Sequence, residues 1–540
     1  MGPHLRHQGT ALFALVLAAA VGCAGSGGGG NADAQGAAGS GGSVGAAGTT
    51  GAAGTTNGGP GTAGTGGPGI DGGVPNGGAG NGGGAGTSGG AGTSGGAGTT
   101  GAAGTGAARG PLRVDATNPR YFSDGARIVY LTGSHTWQTL KDRALTDPPP
   151  PFDYAAFLAF LNAHNHNFFR LWTWEQPHSW NNNTDMLKRT FTPFPWPRTG
   201  PGMASDGKPR FDLSKHDQAY FDRVRARVMA AGARGIYVAI TLFDGWDVNR
   251  AYNDKDGGFP YGAGNNVNGI AVNGVQSQTL TNAAAVAIEE AYVRKIVDSV
   301  NDLDNVLYEI ANESDGGGKA WQAHMVDLIH KYEATKAKRH PVGITAYIPG
   351  TDAELLASNA DWIAPLARFA TSDGKKVVLN DSDHSYYWTE LKADGQAAHR
   401  AWAWRTFLGG AAPVFMDPYL ETWGGRNAPN GTTPDPFWNV LRDAMGDTRR
   451  YADKLDLRRA VPSGALASTG YALAEPGAQY LVFQPNTGAF TVTLVAGTYT
   501  QEWFDPVART TTAAGTLTAT AGSRSFTAPF AGPAVLYLHR

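Results

Sequence analysis

The chain has 540 residues, a formal net charge of −2 and a single cysteine. A chain of this length can bury a large core and form more than one domain. Because the net charge is close to zero, no strong basic field is present to attract nucleic acid or anionic lipid, and neither is expected as a partner.

The first 23 residues are similar to a bacterial export signal. Arg6 and His7 precede the apolar run ALFALVLAAAV, which leads to Gly22 and Cys23. A basic segment, a short apolar core and small residues before a cleavage point are typical of such signals. The ending resembles a lipobox, in which the cysteine is acylated, although Ala20 replaces the usual leucine. We therefore expect an exported protein, either a cell-surface or outer-membrane lipoprotein anchored through Cys23 or a secreted one.

Residues 24–108 consist almost entirely of Gly, Ala, Thr and Ser, and they include the repeat GGAGTSGGAGTS. Such a composition cannot bury enough apolar surface to fold. We expect a disordered, flexible tether whose root-mean-square reach is roughly 50 Å by random-coil scaling.

Strand-like and helix-like runs alternate between residues 109 and 459. The strand signals are RIVYLTGS (127–134), NFFRLWTW (167–174), GIYVAITLFDGW (235–246), VLYEIANES (306–314), HPVGITAY (340–347), ADWIAP (360–365), KKVVLND (375–381) and APVFMDPY (412–419). Between them, apolar residues recur at helical spacing. Eight strands separated by helices predict an α/β fold, a parallel (β/α)₈ TIM barrel. An open doubly wound sheet is the structural alternative, but no glycine-rich phosphate loop follows the first strand.

The pattern changes at about residue 460, where helical spacing ends. The remaining runs are short, alternate between apolar and polar residues and are separated by turn residues: QYLVFQP, FTVTLVAGTYTQEWF, GTLTATA, RSFTAP and AVLYLHR. This pattern predicts a small all-β sandwich domain at residues 460–540.

Polar and aromatic residues gather at the C-terminal ends of the predicted strands, which form the functional face of a barrel. They are His135 and Trp137 after the first strand, Arg170, Trp172 and Glu175 along and after the second, Asp244 and Trp246 after the third, Asn312 and Glu313 after the fourth, Asp381, Asp383 and His384 after the seventh, and Asp417 after the eighth. Paired carboxylates suit general acid–base chemistry, and aromatic rings suit the C–H face of a sugar.

An Asn-Glu pair that ends the fourth strand, together with a carboxylate at the end of the seventh, resembles the clan A glycoside hydrolases. Glycoside hydrolase family 5, the cellulase family, is the best-known member. The resemblance implies that Glu313 is the catalytic acid/base, that Asn312 binds the sugar 2-hydroxyl and that Arg170 braces the second carboxylate. It also implies cleavage of O-glycosidic bonds in an extracellular polysaccharide or oligosaccharide, without a cofactor or a metal.

The sequence departs from the clan at the seventh strand, where the clan has a glutamate nucleophile. The only carboxylates there are Asp381 and Asp383. Asp381 is slightly preferred, because it stands at the usual offset after the apolar run. A separation of about 5–5.5 Å between the two catalytic carboxyl groups predicts retention of anomeric configuration, and about 6.5–9.5 Å predicts inversion.

The C-terminal runs YLVFQPNTGAFTVTL and GTYTQEWFDP, with VFMDPY in the barrel, are similar to bacterial cellulase-like proteins. In those proteins a barrel is followed by a domain named as a collagenase-type collagen-binding domain. Adhesion to collagen is implied by that name alone. The alternative is a domain that packs on the barrel and supports its core.

Several of these signals have a structural alternative. An Asn-Glu pair is also a common helix start, and the stretch from Asp381 to His384 could be a cap and turn or a metal site. Asp244, Asp417 and His135 could hold loops instead of substrate. The tryptophans at 137, 172, 174, 246, 388 and 423 either stack on sugars or pack the barrel top. The alternative function is a non-catalytic carbohydrate-binding protein on a degenerate glycosidase barrel.

Overall fold

The computed structural model describes residues 110–180, 188–249, 257–386, 388–421 and 433–540. The expected export signal, Cys23 and the tether lie outside the described residues, as does Trp423. None of the helices within these ranges is both long and apolar enough to cross a lipid bilayer.

Eight parallel strands form one curved sheet at the centre of the chain. They are β1 (Gly133–His135), β2 (Phe168–Leu171), β3 (Tyr237–Asp244), β4 (Val306–Asn312), β5 (Val342–Thr345), β6 (Trp362–Ala364), β7 (Val377–Asp381) and β8 (Ala412–Met416). From β2 to β8 each strand pairs with the next in chain order, and β8 also pairs with β1. This order confirms the predicted (β/α)₈ barrel and excludes a doubly wound sheet, in which the strand order reverses.

The seam between β1 and β2 nearly closes the barrel. The Asn167 N–H donates to the Thr132 carbonyl at 3.0 Å, and the Asn167 side chain accepts from the Thr132 N–H at 3.0 Å. A Cβ at Gly133 would lie 2.0 Å from the Phe168 carbonyl oxygen. Glycine is therefore required for the two strands to approach this closely.

Helices follow most of the barrel strands. They are α1 (Tyr154–Ala163), α2 (Gln218–Gly232), α3 (Ala283–Val300), α4 (Lys319–Glu333), α5 (Asp352–Ala357), α6 (Trp388–Ala393), α7 (Gln396–Leu408) and α8 (Asn439–Ala452). Shorter helical turns lie at Gly245–Asn249, Gly274–Ser277, Gly316–Gly318, Ser382–Ser385, Pro436–Trp438 and Gly464–Leu466. Polar side chains begin several of the helices: Asp153 accepts from the Ala156 N–H, and Asn282 from the Ala285 N–H.

The core lies between the barrel and its helices. Strands β3 and β4 are buried along their whole length. Tyr292, Val293, Ile296 and Val297 of α3, which recur at helical spacing in the sequence, are buried against them. Full burial of one large apolar side chain stabilises the fold by about 1.5–3 kcal/mol, so this periodic face holds the helix on the barrel.

The first strand differs from its prediction. The run RIVYLTGS was expected to be one barrel strand, but Ile128–Val129 belongs to a separate antiparallel sheet with Phe122–Ser123 and Arg113–Val114. The barrel strand begins only at Gly133. An apolar run does not show which sheet it pairs with, because pairing depends on partners that are distant in the chain.

Further short strands lie in the segment between β1 and α2. Asp142–Ala144, His178–Trp180 and Lys188–Thr192 form a three-stranded antiparallel sheet, and Arg198–Met203 pairs with Pro209–Phe211.

The C-terminal residues form two antiparallel sheets. The strands are β9 (Val461–Pro462), β10 (Ala472–Glu475), β11 (Gln479–Gln484), β12 (Phe490–Leu494), β13 (Gly497–Asp505), β14 (Thr510–Ala519), β15 (Gly522–Phe526) and β16 (Ala534–His539). Six of them pair in the order β9-β10-β11-β16-β13-β14, and β12 pairs with β15. Trp503 of the larger sheet contacts Phe490 of the smaller one, with ring centroids 6.0 Å apart. These two layers agree with the predicted β-sandwich.

The sandwich shares a core with the barrel. Trp404 of α7 is fully buried and stacks on Phe483 of β11, with ring centroids 6.1 Å apart. Tyr451 of α8 packs against Phe504 of β13 at 5.6 Å. In addition, Arg509 binds the Asp447 carboxylate of α8 through two N–H groups at 3.0 and 3.1 Å. The domain therefore packs on the barrel through α7 and α8.

Candidate active site

Arg170 of β2 is the centre of a buried polar network at the C-terminal end of the barrel. Its Nε donates to Glu309 at 2.8 Å, and its Nη2 donates to Asn312 Oδ1 at 2.7 Å. Its Nη1 lies 3.1 Å from an Asp381 oxygen and 3.5 Å from an Asp383 oxygen. One guanidinium thus connects residues of β2, β4 and β7.

Glu309 is a network residue that the sequence prediction did not include. It lies within β4, is fully buried and accepts from Thr241 Oγ1 at 3.0 Å in addition to Arg170. The available signal was a carboxylate in an otherwise apolar strand, three residues before Asn312. A buried charge in a strand needs a partner of opposite sign, and Arg170 is that partner.

Asp381 is the more deeply buried of the two aspartates after β7. Its carboxylate lies 2.9 Å from His135 Nε2 and 3.1 Å from Arg170 Nη1, and it also caps the Ser382–Ser385 turn through the Asp383 N–H. Although burial opposes ionisation, His135 and Arg170 hold the pKa of Asp381 well below its usual range. Asp381 therefore favours the ionised form and is already paired with His135 and Arg170.

Asp383 lies opposite Glu313. A carboxylate oxygen of Glu313, a carboxylate oxygen of Asp383 and a ring nitrogen of His384 all lie within 4.8 Å of one another. Burial raises the pKa of Asp383, and the nearby Glu313 and Asp381 carboxylates raise it further, while Arg170 lowers it. Two carboxyl groups this close cannot both ionise easily, so ionisation of one opposes ionisation of the other.

The same three groups, Glu313, Asp383 and His384, form the one cluster within the described ranges that has the ligand types and spacing of a metal site. Oxygen and imidazole ligands suit a divalent cation. His384 has a competing contact, because its Nε2 lies 3.1 Å from Asn312 Oδ1 and 3.4 Å from an Asp383 oxygen. Both neighbours are acceptors, so this nitrogen carries the proton and is not available as a ligand.

Glu313 follows the last residue of β4 and has a left-handed backbone, with φ = 43°. Its N–H donates to Thr345 Oγ1 at 3.3 Å. Gly245, after β3, packs against this backbone, because a Cβ there would lie 2.6 Å from the Glu313 carbonyl oxygen. The conformation is costly for a residue with a Cβ, and its surroundings hold it in place.

Asn312 has a defined orientation. Its Oδ1 accepts from Arg170 and from His384 Nε2, and its Nδ2 donates to Asp244 Oδ1 at 3.2 Å. The second N–H of that amide has no partner among the contacts of the described residues, and the residue is 1% exposed.

The predicted tryptophans divide into two groups. Trp137, Trp172 and Trp174 are 6%, 1% and 2% exposed and pack with Phe191 and Met416. Trp172 also stacks on His135, with ring centroids 5.6 Å apart. Trp246 is only partly buried and lies at the edge of this cluster. Only Trp246 of these four therefore offers ring surface to a ligand.

Asp417 binds Arg442 and makes no side-chain hydrogen bond to Arg170, Asp381 or Asp383 among the described residues. Its two carboxylate oxygens bind Arg442 of α8 at 2.7 and 2.6 Å, and both side chains are fully buried. Burial raises the pKa of Asp417, but Arg442 outweighs it and keeps the pKa below its usual value. These contacts anchor the end of β8 to α8.

No protein-family model matches the sequence, and no curated protein is similar to it at a significant level. Solved structures are similar in fold. A glycoside hydrolase family 5 protein from Bacteroides vulgatus has a TM-score of 0.51 and 13% identity, and the match covers 80% of this chain and 94% of that chain. A candidate glycoside hydrolase from the same organism has a TM-score of 0.54 and 14% identity, covering 80% and 82%. The chain therefore has the barrel fold of glycoside hydrolase family 5 proteins.

Proposed function

We propose that the protein is a glycoside hydrolase in which Glu313 is the acid/base and Asp383 is the second catalytic carboxylate. The observation that carries the proposal is the close approach of these two carboxylates, within 4.8 Å, at the C-terminal end of the barrel. Hydrolysis of a glycosidic bond needs a proton donor for the leaving oxygen and a carboxylate beside the anomeric carbon. The pair meets both needs when it binds one proton.

Asp383 suits the second role better than Asp381, which the sequence slightly favoured. Asp381 is held by His135 and Arg170 and is 2% exposed in its side chain, whereas the Asp383 side chain is 11% exposed. A nucleophile needs access to the substrate. Asp381 is better placed to hold Arg170 and His135 in position.

We propose retention of configuration, because one oxygen of Glu313 lies within 4.8 Å of one oxygen of Asp383, closer than the spacing of about 6.5–9.5 Å expected for inversion. Carboxyl groups about 5–5.5 Å apart leave no room for a water between them and the sugar, so the carboxylate attacks directly. Asp383 attacks the anomeric carbon while Glu313 gives its proton to the leaving oxygen, and a glycosyl ester forms. A water then attacks the anomeric carbon and loses its proton to Glu313, the bond from that carbon to Asp383 breaks, and both carboxyl groups return to their starting forms.

The surrounding side chains support this chemistry. Burial and the Glu313 carboxylate raise the pKa of Asp383, and Arg170, at 3.5 Å, opposes that rise. The proposed reaction proceeds from the form of the pair in which Glu313 carries the proton and Asp383 is ionised. His384 donates to Asn312 Oδ1 and holds its amide in place, and the clan A resemblance implies that this amide binds the sugar 2-hydroxyl. Trp246 is suited to stacking on a sugar ring, because part of its surface is exposed.

We also propose that the substrate is an extracellular polysaccharide or oligosaccharide and that the protein is exported, with Cys23 as the site of lipidation. The support is the sequence of residues 1–23, in which a basic segment and an apolar core precede a small-small-cysteine ending. Mass spectrometry of the mature N-terminus tests this. A diacylglycerol adduct on Cys23 supports the anchor, and an unmodified cysteine contradicts it.

The hydrolase proposal is tested by assaying the protein on a panel of plant, algal and microbial polysaccharides, with Glu313→Gln beside it. We expect the parent to release sugars and the variant to lose about 10²–10⁴-fold in activity. Glu390→Gln is the matched control, because Glu390 lies at the surface, and it keeps the parent activity. A parent that binds a polysaccharide but hydrolyses none contradicts the proposal and supports the carbohydrate-binding alternative.

A further inference from the structure

Three carboxyl groups meet behind Asn312. Asp244 ends β3, Asp247 lies in the following turn, and Glu175 follows β2. Glu175 accepts the Asp244 N–H at 2.7 Å. Asp247 accepts the N–H groups of Glu175 and Gln176, both at 2.8 Å. Asp244 and Asp247 are buried and Glu175 is partly buried, and each touches a neighbour of the set through the backbone.

The cluster has too little positive charge for three anions. The cation near it is Lys141, whose ammonium donates to the Trp174 carbonyl and lies 3.4 Å from the centre of the Phe194 ring. Arg170 is on the other side of Asn312 and is already paired with Glu309 and Asp381. None of the ion pairs of the described residues includes Asp244, Asp247 or Glu175. A buried carboxylate without a cation is strongly disfavoured, so protons must replace the missing charge.

Asp244 is the member whose contacts fit a bound proton best. One oxygen, Oδ1, accepts from Asn312 Nδ2 at 3.2 Å, the Trp246 N–H at 3.1 Å and the Asp247 N–H at 3.4 Å. The other oxygen, Oδ2, is buried and has no hydrogen-bond partner in the described part of the chain. The three donors to Oδ1 favour the ionised form, but no donor reaches Oδ2. A buried ionised oxygen without a donor is more costly than a buried hydroxyl without an acceptor, so the contacts favour a proton on Oδ2.

We infer that Asp244 works as a neutral carboxylic acid and is a positioning residue for Asn312. The inference rests on the proposed function, and it adds a role for the charge at this position. An ionised Asp244 would place a second anion beside the Glu313–Asp383 pair. That anion would favour protonation of Asp383, which must be ionised to attack. A neutral Asp244 holds the Asn312 amide without this penalty.

The groups that face Asp244 agree with this assignment. The Asp247 and Glu175 carboxylates favour the protonated form of Asp244, whereas the Asn312 amide and the Asp247 N–H favour the ionised form. Lys141 interacts electrostatically with Asp247 and Glu175. Burial is the largest cause that raises the pKa of Asp244, followed by Asp247. Burial also raises the pKa of Glu175 to about 8 and that of Asp247 to about 6.

Infrared difference spectroscopy at neutral pH tests the inference without a substrate. We expect the parent-minus-variant spectrum of Asp244→Asn to show the loss of a protonated carboxyl band. Asp381→Asn is the matched control, and its spectrum should show the loss of an ionised carboxylate band. Loss of a carboxylate band in Asp244→Asn overturns the inference. Failure of that variant to fold also overturns it, because an amide replaces a carboxylic acid here without a change of charge.

Kinetics supply the second readout on any glycoside that the parent cleaves. We expect Asp244→Ala to lower kcat by about tenfold more than Asp244→Asn, because the amide keeps the hydrogen bond to Asn312. Equal losses in both variants overturn the positioning role. A parent without hydrolytic activity contradicts the proposed function and leaves the infrared result as the test of the charge of Asp244.

Discussion

Asp383 faces Glu313 because the chain offers its second carboxylate two residues after β7 ends at Asp381. An aspartate is one methylene shorter than the glutamate expected at this strand. The turn at Ser382–Ser385 places Asp383 beyond the end of β7, and this displacement compensates for the shorter side chain of aspartate. The strand-end residue Asp381 instead pairs with His135 and Arg170.

The protonation of Glu175 predicts how stability depends on pH. Burial raises its folded-state pKa to about 8, above the unfolded value, so folding binds a proton. The contribution of Glu175 to the free energy of unfolding is greatest at pH values below its pKa in the unfolded chain. It is lost as pH rises towards 8, by up to about 1.4 kcal/mol per pH unit.

Glu175→Gln should therefore gain stability relative to the parent as pH rises from 5 to 8. The measurement is the free energy of unfolding from urea titrations at several pH values. Glu390→Gln, at the surface, should give a curve parallel to that of the parent. A Glu175→Gln curve that is also parallel would mean that Glu175 is ionised in the folded protein.

The residue types of the site could be predicted from the sequence, but their division of roles could not. Glu313, Asn312 and Arg170 stand at strand ends where a barrel gathers polar groups. Asp381 and Asp383 are two residues apart, so local spacing cannot separate them. Their roles depend on His135 and Arg170, which are more than 200 residues away in the chain.

At the scale of the elements, the backbone after β3 packs closely against the backbone after β4. Gly245 lies where any Cβ would meet the Glu313 backbone, at 2.6 Å from its carbonyl oxygen and 2.7 Å from Ser314 Cα. Because both contacts are to backbone, a side chain at residue 245 cannot be accommodated by a rotamer change. The glycine permits the left-handed conformation of Glu313 to lie against the turn after β3.

Gly245→Ala should lower kcat with little change in KM, because it displaces Glu313 while the other substrate contacts remain. A displacement on the order of 1 Å can cost about 10²-fold in rate. Gly395→Ala is the control, since a Cβ at Gly395 meets open space. Unchanged kcat in a folded Gly245→Ala would show that the position of Glu313 does not depend on this contact.

The strands were predictable because their burial is visible in the sequence. The run GIYVAITLFDGW contains β3, and even the weak signal ADWIAP contains β6. The first barrel strand was predicted too early in the chain, because Ile128–Val129 pairs with Phe122–Ser123 in another sheet and the barrel strand begins at Gly133. The choice between two sheets depends on long-range pairing, which apolar periodicity does not record.

At the scale of the whole molecule, α8 links the sandwich to the C-terminal end of the barrel strand β8. Its Arg442 binds Asp417 after β8, and its Asp447 binds Arg509 of the sandwich. Trp404 and Phe483 extend the apolar core across the same boundary. These contacts indicate that the sandwich stabilises the barrel.

Trp404→Ala should therefore destabilise both domains together. Truncation of a buried tryptophan typically costs about 3–5 kcal/mol. Thermal unfolding followed by near-ultraviolet circular dichroism should show one transition, at a lower temperature than in the parent. Val507→Ala, at an exposed turn of the sandwich, should leave the transition unchanged. A sandwich that unfolds separately from an unaffected barrel would contradict a shared core.

The most direct test of the catalytic pair is rescue by azide on an activated aryl glycoside that the parent hydrolyses. We predict that azide restores turnover to Asp383→Gly but not to Asp381→Gly. The product should be a glycosyl azide of opposite configuration to the substrate, because azide attacks from the place of the missing carboxylate. Rescue of Asp381→Gly, or inversion of configuration by the parent, would contradict the assignment of Asp383 as the nucleophile.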